Sequence, residues 1–462
     1  MGKKVCIQGL GFVGFAMGVA VANARDKKNN RPLYEVVGVD LPNEEGKRKI
    51  LDINNGKFPI SCNDKNLEKA YKRAIACGNF RASVNNEEYQ NADFIIIDIN
   101  LDVFIDGKFS KVEFSNFRKS IETIGSMMKQ DALVIIETTV PPGTTETIVI
   151  PILKKELMRR FKKECQPLVA HSYERVMPGP EYLDSIINFW RVFAGVNLSS
   201  SEKCKNFLST IINVEKYPLT QLSSTKASEL SKILENSYRA TNIAFIDEWG
   251  KFAEEIGVDL FEVIRAIKIR PTHSNINRPG LGVGGYCLTK DPLMGYVSAN
   301  QIFNKATIEF PLSEKAVQIN SQMPKHTYEI AIRNLNQNKA NPKILILGLT
   351  YRDQVGDTRY SASISLARLF IEKGLEVTTH DPMVNEELPF ELNVSKDLPL
   401  ASMFDAIIFT VAHKFYKELN FKDWLNGFKG FILDSNNVLN DNEISILKMI
   451  GIRLKVVGRG DL

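Results

Sequence analysis

The segment Gly284-Gly285-Tyr286-Cys287-Leu288-Thr289-Lys290-Asp291 sets a thiol directly behind two glycines, with a lysine and a carboxylate within four residues. The thiolate is the reactive form of cysteine, and a neighbouring ammonium lowers the thiol pKa. From these residues alone, a nucleophile and a buried structural cysteine both remain open. A second cluster, Gly9-Leu10-Gly11-Phe12-Val13-Gly14, follows the apolar run Val5–Gln8 and precedes an expected helix, Phe15–Asn23. In such a turn Gly9 permits the tight bend, Gly11 lets a pyrophosphate approach the backbone, and Gly14 lets the helix pack on the strand. A second expected strand, Val36–Asp40, ends in Asp40. A carboxylate there accepts from ribose hydroxyls and repels a 2′-phosphate, which favours NAD over NADP. Asp40 stands 26 residues after Gly14, and the polar stretch Arg25–Pro32 reads as a surface insertion that lengthens the spacing. The competing reading is a glycine turn without a ligand.

The elements that must carry these residues show in the hydrophobic pattern. Val5–Gln8, Val36–Asp40, Phe94–Asp98, Val134–Thr138 and Leu168–His171 are short apolar runs, most ending in a polar residue, separated by amphipathic stretches. That alternation predicts buried parallel strands with crossover helices. From Thr225 to Ile256, Leu230, Ile233, Leu234, Ser237, Ala240, Ala244 and Phe245 recur at helical spacing, which predicts one long helix followed by further helices through Ile269. Arg278–Gly285 reads as a loop, and helices resume to about Asn338. After the break at Asn341-Pro342, a second alternating region contributes Lys343–Gly348, Glu376–His380, Ala406–Thr410 and Gly430–Asp434. The expected fold is α/β: two Rossmann-like, doubly wound parallel-sheet domains joined by a central helical region. The expected boundaries are residues 1–215 for the dinucleotide domain, 216–338 for the helical middle and 339–462 for the second sheet domain.

Composition narrows the partners. With 59 basic against 54 acidic residues in 462, the net charge of +5 is too small and dispersed to indicate nucleic acid. The cysteines Cys6, Cys62, Cys77, Cys165, Cys204 and Cys287 form no C-x-x-C pair, so neither a metal site nor a disulfide framework is expected. Scattered thiols suit a reducing compartment. The N-terminus lacks a signal-peptide pattern, and no run of 18 apolar residues occurs. A cytoplasmic protein without a membrane span is expected.

Six motifs in order carry a resemblance. They are G-L-G-F-V-G at Gly9–Gly14, T-T-V-P-P-G at Thr138–Gly143, E-R-V-M-P-G at Glu174–Gly179, K-I-L-E-N at Lys232–Asn236, G-V-G-G-Y-C-L-T-K-D at Gly282–Asp291, and G-L-T-Y-R-D-Q-V-G-D-T-R-Y-S-A-S at Gly348–Ser363. Over nearly its whole length the chain resembles the UDP-glucose/GDP-mannose dehydrogenase family, the nucleotide-sugar 6-dehydrogenases. The resemblance implies oxidation of C6 of a nucleotide-linked hexose in two steps, with two NAD. It makes Cys287 the nucleophile that traps the aldehyde as a thiohemiacetal, which a second oxidation turns into a thioester that water hydrolyses. Lys232 would stabilise an alkoxide or exchange a proton, with Asn236 one turn later. Asp291 would orient water. Glu174 would touch substrate and nicotinamide, and Thr139 the cofactor and water. Gly9, Gly11, Phe12, Val13, Gly14, Asp40 and Arg359 would complete the cofactor site. Arg352, in the place of a family lysine, would meet the substrate diphosphate beside Gly284 and Gly285. Arg270, one residue out of register, would contact substrate. Read without the motif order, Lys232 and Arg270 are ordinary helix-face charges.

The chain departs from the family at Asp98-Ile99-Asn100-Leu101, where V-x-T-P usually lines the cofactor, and at Thr289, which replaces a common proline. E-R-V-M-P-G resembles the branch acting on UDP-N-acetylhexosamines, so a UDP-N-acetylhexosamine 6-dehydrogenase is expected. The alternatives are UDP-glucose, then GDP-mannose, as substrate; a single-oxidation hydroxy-acid-type dehydrogenase; and a non-catalytic nucleotide-sugar binder. By resemblance the long helix forms a homodimer core, alone or within a larger homo-oligomer, and the product feeds polysaccharide or glycan synthesis.

Overall fold

The computed structural model describes residues 2–60, 62–106, 109–305, 307–336, 339, 341–384, 388 and 392–462. The expected helix end near Asn338 lies outside the described residues. The chain forms two compact units, Met1–Glu235 with Leu293–Glu309, and Asn236–Pro292 with Phe310–Leu462.

The first unit is built on eight strands: β1 (Lys3–Gln8), β2 (Tyr34–Val39), β3 (Phe80–Ser83), β4 (Phe94–Ile97), β5 (Leu133–Ile136), β6 (Leu168–His171), β7 (Val192–Gly195) and β8 (Thr220–Gln221). Their order across the sheet is β8-β7-β6-β5-β4-β1-β2-β3. Every neighbouring pair is parallel except β6 with β7. Both faces are covered, so β4 and β5 are buried at every position, as their unbroken apolar sequences require. Phe15, Tyr71 and Phe80 pack on one side, and Phe117, Ile121 and Leu153 on the other. Helix α1 (Phe12–Ala22) begins inside the glycine turn, earlier than the periodicity indicated, because Gly11 is its N-cap. The stretch Arg25–Pro32 closes on itself through an antiparallel bridge between its end residues, with Asp26 N donating to Arg31 O at 2.9 Å. It is therefore a side excursion that leaves the helix-to-strand geometry intact.

Helix α2 (Thr225–Glu255) is the expected long helix, and the division between the units falls inside it, after Glu235. In the second unit α3 (Leu260–Lys268) starts at Asp259, whose carboxylate accepts from Phe261 N at 2.8 Å. Helix α4 (Pro311–Asn334) opens on a proline, where the missing N–H costs nothing. The second sheet contains β9 (Lys343–Leu347), β10 (Glu376–His380), β11 (Asn393–Ser395), β12 (Ala406–Phe409), β13 (Phe431–Asp434) and β14 (Arg453–Val456), in the order β11-β10-β9-β12-β13-β14 and wholly parallel. The architecture is thus the two Rossmann-like sheets and helical middle expected from the sequence. Among the described residues, no helix is long and apolar enough to cross a membrane.

Candidate active site

The first unit's candidate site residues sit toward the carboxyl ends of its strands. Gly9 has φ +95°, and a Cβ there would stand 2.3 Å from Asp98 O; a Cβ on Gly14 would stand 2.0 Å from Gly9 O. These two glycines are required by the chain's own packing. At Gly11 a Cβ would meet nothing within 4 Å, and Gly11 brings no side chain to cap α1. That leaves open ground at a helix N-terminus, which fits a dinucleotide's pyrophosphate. Asp40, just past β2, accepts from Leu10 N at 3.1 Å and Leu41 N at 2.7 Å, so it also steadies the turn it serves.

The Asp98–Asn100 segment, where the sequence departs from the family, is tied by a residue that sequence reasoning missed. Thr138 Oγ1 accepts from Ile99 N at 2.9 Å and donates to Ile97 O at 3.0 Å. Burial, together with the charge of Glu174, pushes the Asp98 carboxyl well above the usual range, while the buried Arg191 guanidinium opposes the shift. Thr139 is half-buried. The loop after it is held by Glu229, another residue the sequence did not flag, which accepts from Gly143 N at 2.6 Å and Thr145 N at 2.8 Å. Burial raises the Glu229 carboxyl to about 7, against the hydrogen bonds it receives. Three residues further along α2, Lys232 is buried and donates to Glu174 O at 2.8 Å, with Glu174 Oε1 at 3.7 Å. Lys232 and Glu174, 58 residues apart in sequence, are thus brought together.

The second unit holds the thiol loop. Gly285 has φ +82°, and a Cβ there would fall 2.7 Å from the Tyr351 ring; one on Gly284 would fall 3.0 Å from both Tyr351 Cβ and Tyr360 O. The paired glycines let this aromatic approach the loop backbone closely. Cys287 is exposed, and its carbonyl accepts from Asp291 N at 2.9 Å and Lys290 N at 3.2 Å, which closes a turn leading into a short 3₁₀ helix. Asp291 is fully buried and accepts from Asn236 Nδ2 at 2.7 Å, joining α2 to the loop. The Lys290 ammonium, read from sequence as a thiol activator, lies 3.0 Å from Asp291 Oδ1 and 4.3 Å above the Tyr286 ring.

Arg359 pairs with Asp357 at 2.6 Å and stands 5.5 Å from the Tyr286 ring centroid. Arg352 is half-exposed with Asp353 at 3.9 Å, and Arg270 is exposed beyond the end of α3. The Arg352 segment is clasped from beneath. Its carbonyl accepts from Thr350 Oγ1 at 2.8 Å, and Gln354 N donates to His413 Nδ1 at 3.1 Å. Nδ1 being an acceptor puts the imidazole proton on Nε2, 3.1 Å from Asp381. A cavity of about 550 Å³ in this unit is lined by Lys268, Asn277, Arg278, Asn436 and Asn437, with backbone at Gly280 and Gly282. None of these five side chains was singled out from sequence, because the segments that bring them together lie far apart in the chain.

An open helix N-terminus behind G-x-G-x-x-G, an acid closing the second strand, and a thiol displayed on a glycine loop in a second, sheet-bearing unit define a dinucleotide-dependent oxidoreductase. The chain belongs to the UDP-glucose/GDP-mannose dehydrogenase family: the family's NAD binding domain matches residues 3–212, its central domain 226–322 and its UDP binding domain 345–441. It is an NAD-dependent nucleotide-sugar dehydrogenase by that membership. A UDP-N-acetyl-D-mannosamine dehydrogenase of Methanococcus vannielii is 30% identical over 466 residues, covering 99% of this chain and 97% of that protein. The Staphylococcus aureus protein CapL is 28% identical, covering 96% of this chain and 98% of that one. Among solved structures, a UDP-D-ManNAc dehydrogenase from Pyrococcus horikoshii superposes with a TM-score of 0.81 at 26% identity, covering 99% of this chain and 100% of that one.

Proposed function

We propose that this protein oxidises C6 of a UDP-N-acetylhexosamine to the uronate, with UDP-N-acetyl-D-mannosamine the first candidate. The observation that carries the reading is the thiol loop: Cys287 is exposed behind Gly284 and Gly285 while buried Asp291 is fastened to Asn236. A single-oxidation hydroxy-acid dehydrogenase has no need of such a thiol. The relatives named above supply the choice of sugar.

NAD, held at Gly9–Gly14 and Asp40, supplies the hydride acceptor for each of the two oxidations. Lys232 takes up or stabilises the charge left as the C6 hydroxyl loses its proton. The Cys287 sulfur adds to the aldehyde carbon to give a thiohemiacetal, and the second oxidation leaves a thioester on the same sulfur. Asp291, steadied by Asn236, orients the water that cleaves the C–S bond, releasing carboxylate and thiol. Thr139 and Glu174 would meet the nicotinamide end, Arg359 would reach the cofactor, and Arg352, Arg270, Gly284 and Gly285 would hold the substrate. The cavity bounded by Lys268, Arg278, Asn436 and Asn437 has the cations and amides that a nucleotide's phosphate and base require.

Functional segments at 1–215, 216–338 and 339–462 and a cytoplasmic location belong to the same reading. So does homodimer formation through α2, where Tyr238, Phe245, Trp249 and Phe252 are each about half exposed and recur at spacings of seven, four and three. That stripe has the period of a helix-packing seam.

The test offers purified protein UDP-N-acetylmannosamine, UDP-N-acetylglucosamine, UDP-N-acetylgalactosamine, UDP-glucose and GDP-mannose, each with NAD or NADP. Two NADH per molecule of one UDP-N-acetylhexosamine is expected. Turnover of UDP-glucose alone would reassign the substrate, and no turnover would favour a binding protein. Cys287→Ser should abolish uronate formation; uronate at the normal rate would refute the two-step mechanism.

A further inference from the structure

The chain from His171 to Arg175 lies along one face of α2, and successive residues are fastened to it in step. His171 Nδ1 lies 2.8 Å from Ser228 Oγ. Tyr173 OH accepts from Ser231 Oγ at 3.2 Å, Glu174 O accepts from Lys232 Nζ at 2.8 Å, and Arg175 Nε donates to Glu235 at 2.9 Å. Tyr173 is the centre of this seam. Its ring is buried, the Lys232 ammonium stands 5.3 Å from its centroid, and the ring of His171, the last residue of β6, lies 6.1 Å away.

We propose that Tyr173 is a positioning residue for Lys232: its ring is the platform that keeps the ammonium charged and aimed, resting on the reading of Lys232 as the group that handles the C6 hydroxyl proton. An ammonium within about 6 Å of an aromatic centroid is attracted by the ring quadrupole, more strongly where water is excluded. Several neighbouring groups also bear on that charge. His171 is neutral, because burial and then the charge of Lys232 itself lower its pKa to about 3. Glu174 offers a carboxylate oxygen only at 3.7 Å, and its other oxygen is engaged by Val176 N. On the helix itself, Glu229 is occupied by Gly143 N and Thr145 N, and Glu235 by Arg175. The phenol stays neutral, since burial raises its pKa, so the ring acts through its face. Arg175 donates to the phenol oxygen at 3.1 Å, and its guanidinium stands 5.3 Å from the same ring centroid, a contact that Tyr173→Phe retains.

The experiment reads the titration of Lys232 directly, by pH-dependent acetylation of the intact protein and mass spectrometry of the peptide bearing it. Tyr173→Phe, which keeps the ring, should leave the midpoint in place. Tyr173→Leu should lower it by roughly 0.5–1 pH unit. Pentafluorophenylalanine at 173, which keeps the volume and reverses the quadrupole, should lower it at least as far and serves where Tyr173→Leu does not fold. The pH profile of kcat should shift by the same amount, beyond any uniform fall in rate. An unchanged Lys232 midpoint with pentafluorophenylalanine overturns the platform. Absence of turnover in the wild type, with the midpoint shifts intact, would instead overturn the proposed function and leave the platform standing.

Discussion

Asp247→Asn should stabilise the protein in alkali and not in acid. Asp247 is fully buried within α2; one oxygen accepts from Gly280 N at 2.9 Å, which anchors the segment leading to Cys287, and the other has no hydrogen-bond partner among the described residues. Burial raises the carboxyl from 3.8 to about 7, against the Gly280 bond and the charge of Lys251. For an acid whose folded pKa is raised, the unfolded chain ionises first, so the folded state loses stability as pH climbs from about 4 to about 7. A shift of about 3 units corresponds to roughly 4 kcal/mol. Asparagine keeps the acceptor for Gly280 but sets an unpartnered amide where the second oxygen was, at a cost of about 1–3 kcal/mol. The variant should therefore be about 1–3 kcal/mol more stable at pH 8, worth several degrees in melting temperature. At pH 4.5 the wild type should be equal or better. Thermal melts of both proteins across this range decide the matter. A difference that does not vary with pH, or a variant that melts lower at pH 8, refutes the argument that a buried charge is tolerated there to hold the loop.

Lys290→Met leaves the buried Asp291 carboxylate without its cation and should cost about 3–5 kcal/mol, most of it recovered in Lys290→Met/Asp291→Asn; equal melting temperatures for single and double variants would show that the pair does not hold the loop. Gly285→Ala forces a Cβ into the Tyr351 ring at a positive φ, so it should lower the melting temperature, and Tyr351→Ala should relieve only the steric share of the loss. Thr138→Val removes the acceptor for Ile99 N and should cost about 1–3 kcal/mol, with KM for NAD rising more than kcat falls in initial-rate assays.

How much of this was legible in the sequence depended on how local the cause was. Gly9, Gly14 and Gly285 could be read because a tight turn or a close approach admits only glycine, whatever lies elsewhere. The strands from β1 to β6 and β9 to β13 that were named could be read because burial on both faces demands an unbroken apolar run. β3, β7, β8, β11 and β14 were not foreseen: β8 has two residues, β3, β11 and β14 are partly exposed, and β7, antiparallel to its neighbour, is a four-residue run that ends on a glycine. Lys290 was legible as part of the loop, but its contact with Asp291 was not: a lysine flanked by a thiol three residues back and a carboxylate one residue on has two candidate partners, and sequence spacing does not rank them. Thr138, Glu229, Asp247 and His413 stayed hidden because each is a common polar residue whose partner lies between 33 and 86 residues away.

The two sheets contain the same local device, with opposite outcomes. Each first strand runs into Gly-Leu at a positive φ, +95° at Gly9 and +109° at Gly348, and each second strand ends beside an aspartate that accepts from the leucine N–H. In the first unit the next residue is Gly11, and the ground above the helix start is open. In the second it is Thr350, whose N–H also goes to Asp381 at 3.1 Å, while its hydroxyl meets Arg352 O and the His413 ring. Despite burial, the His413 contact and the backbone donors hold the Asp381 carboxyl below its ordinary range, so its charge is answered from within. An aspartate whose acceptor positions face a histidine and two turn amides is poorly placed to receive ribose hydroxyls. The same turn that opens to a dinucleotide in the first unit is thus plugged by its own side chains in the second, where it serves to stiffen the segment bearing Arg352.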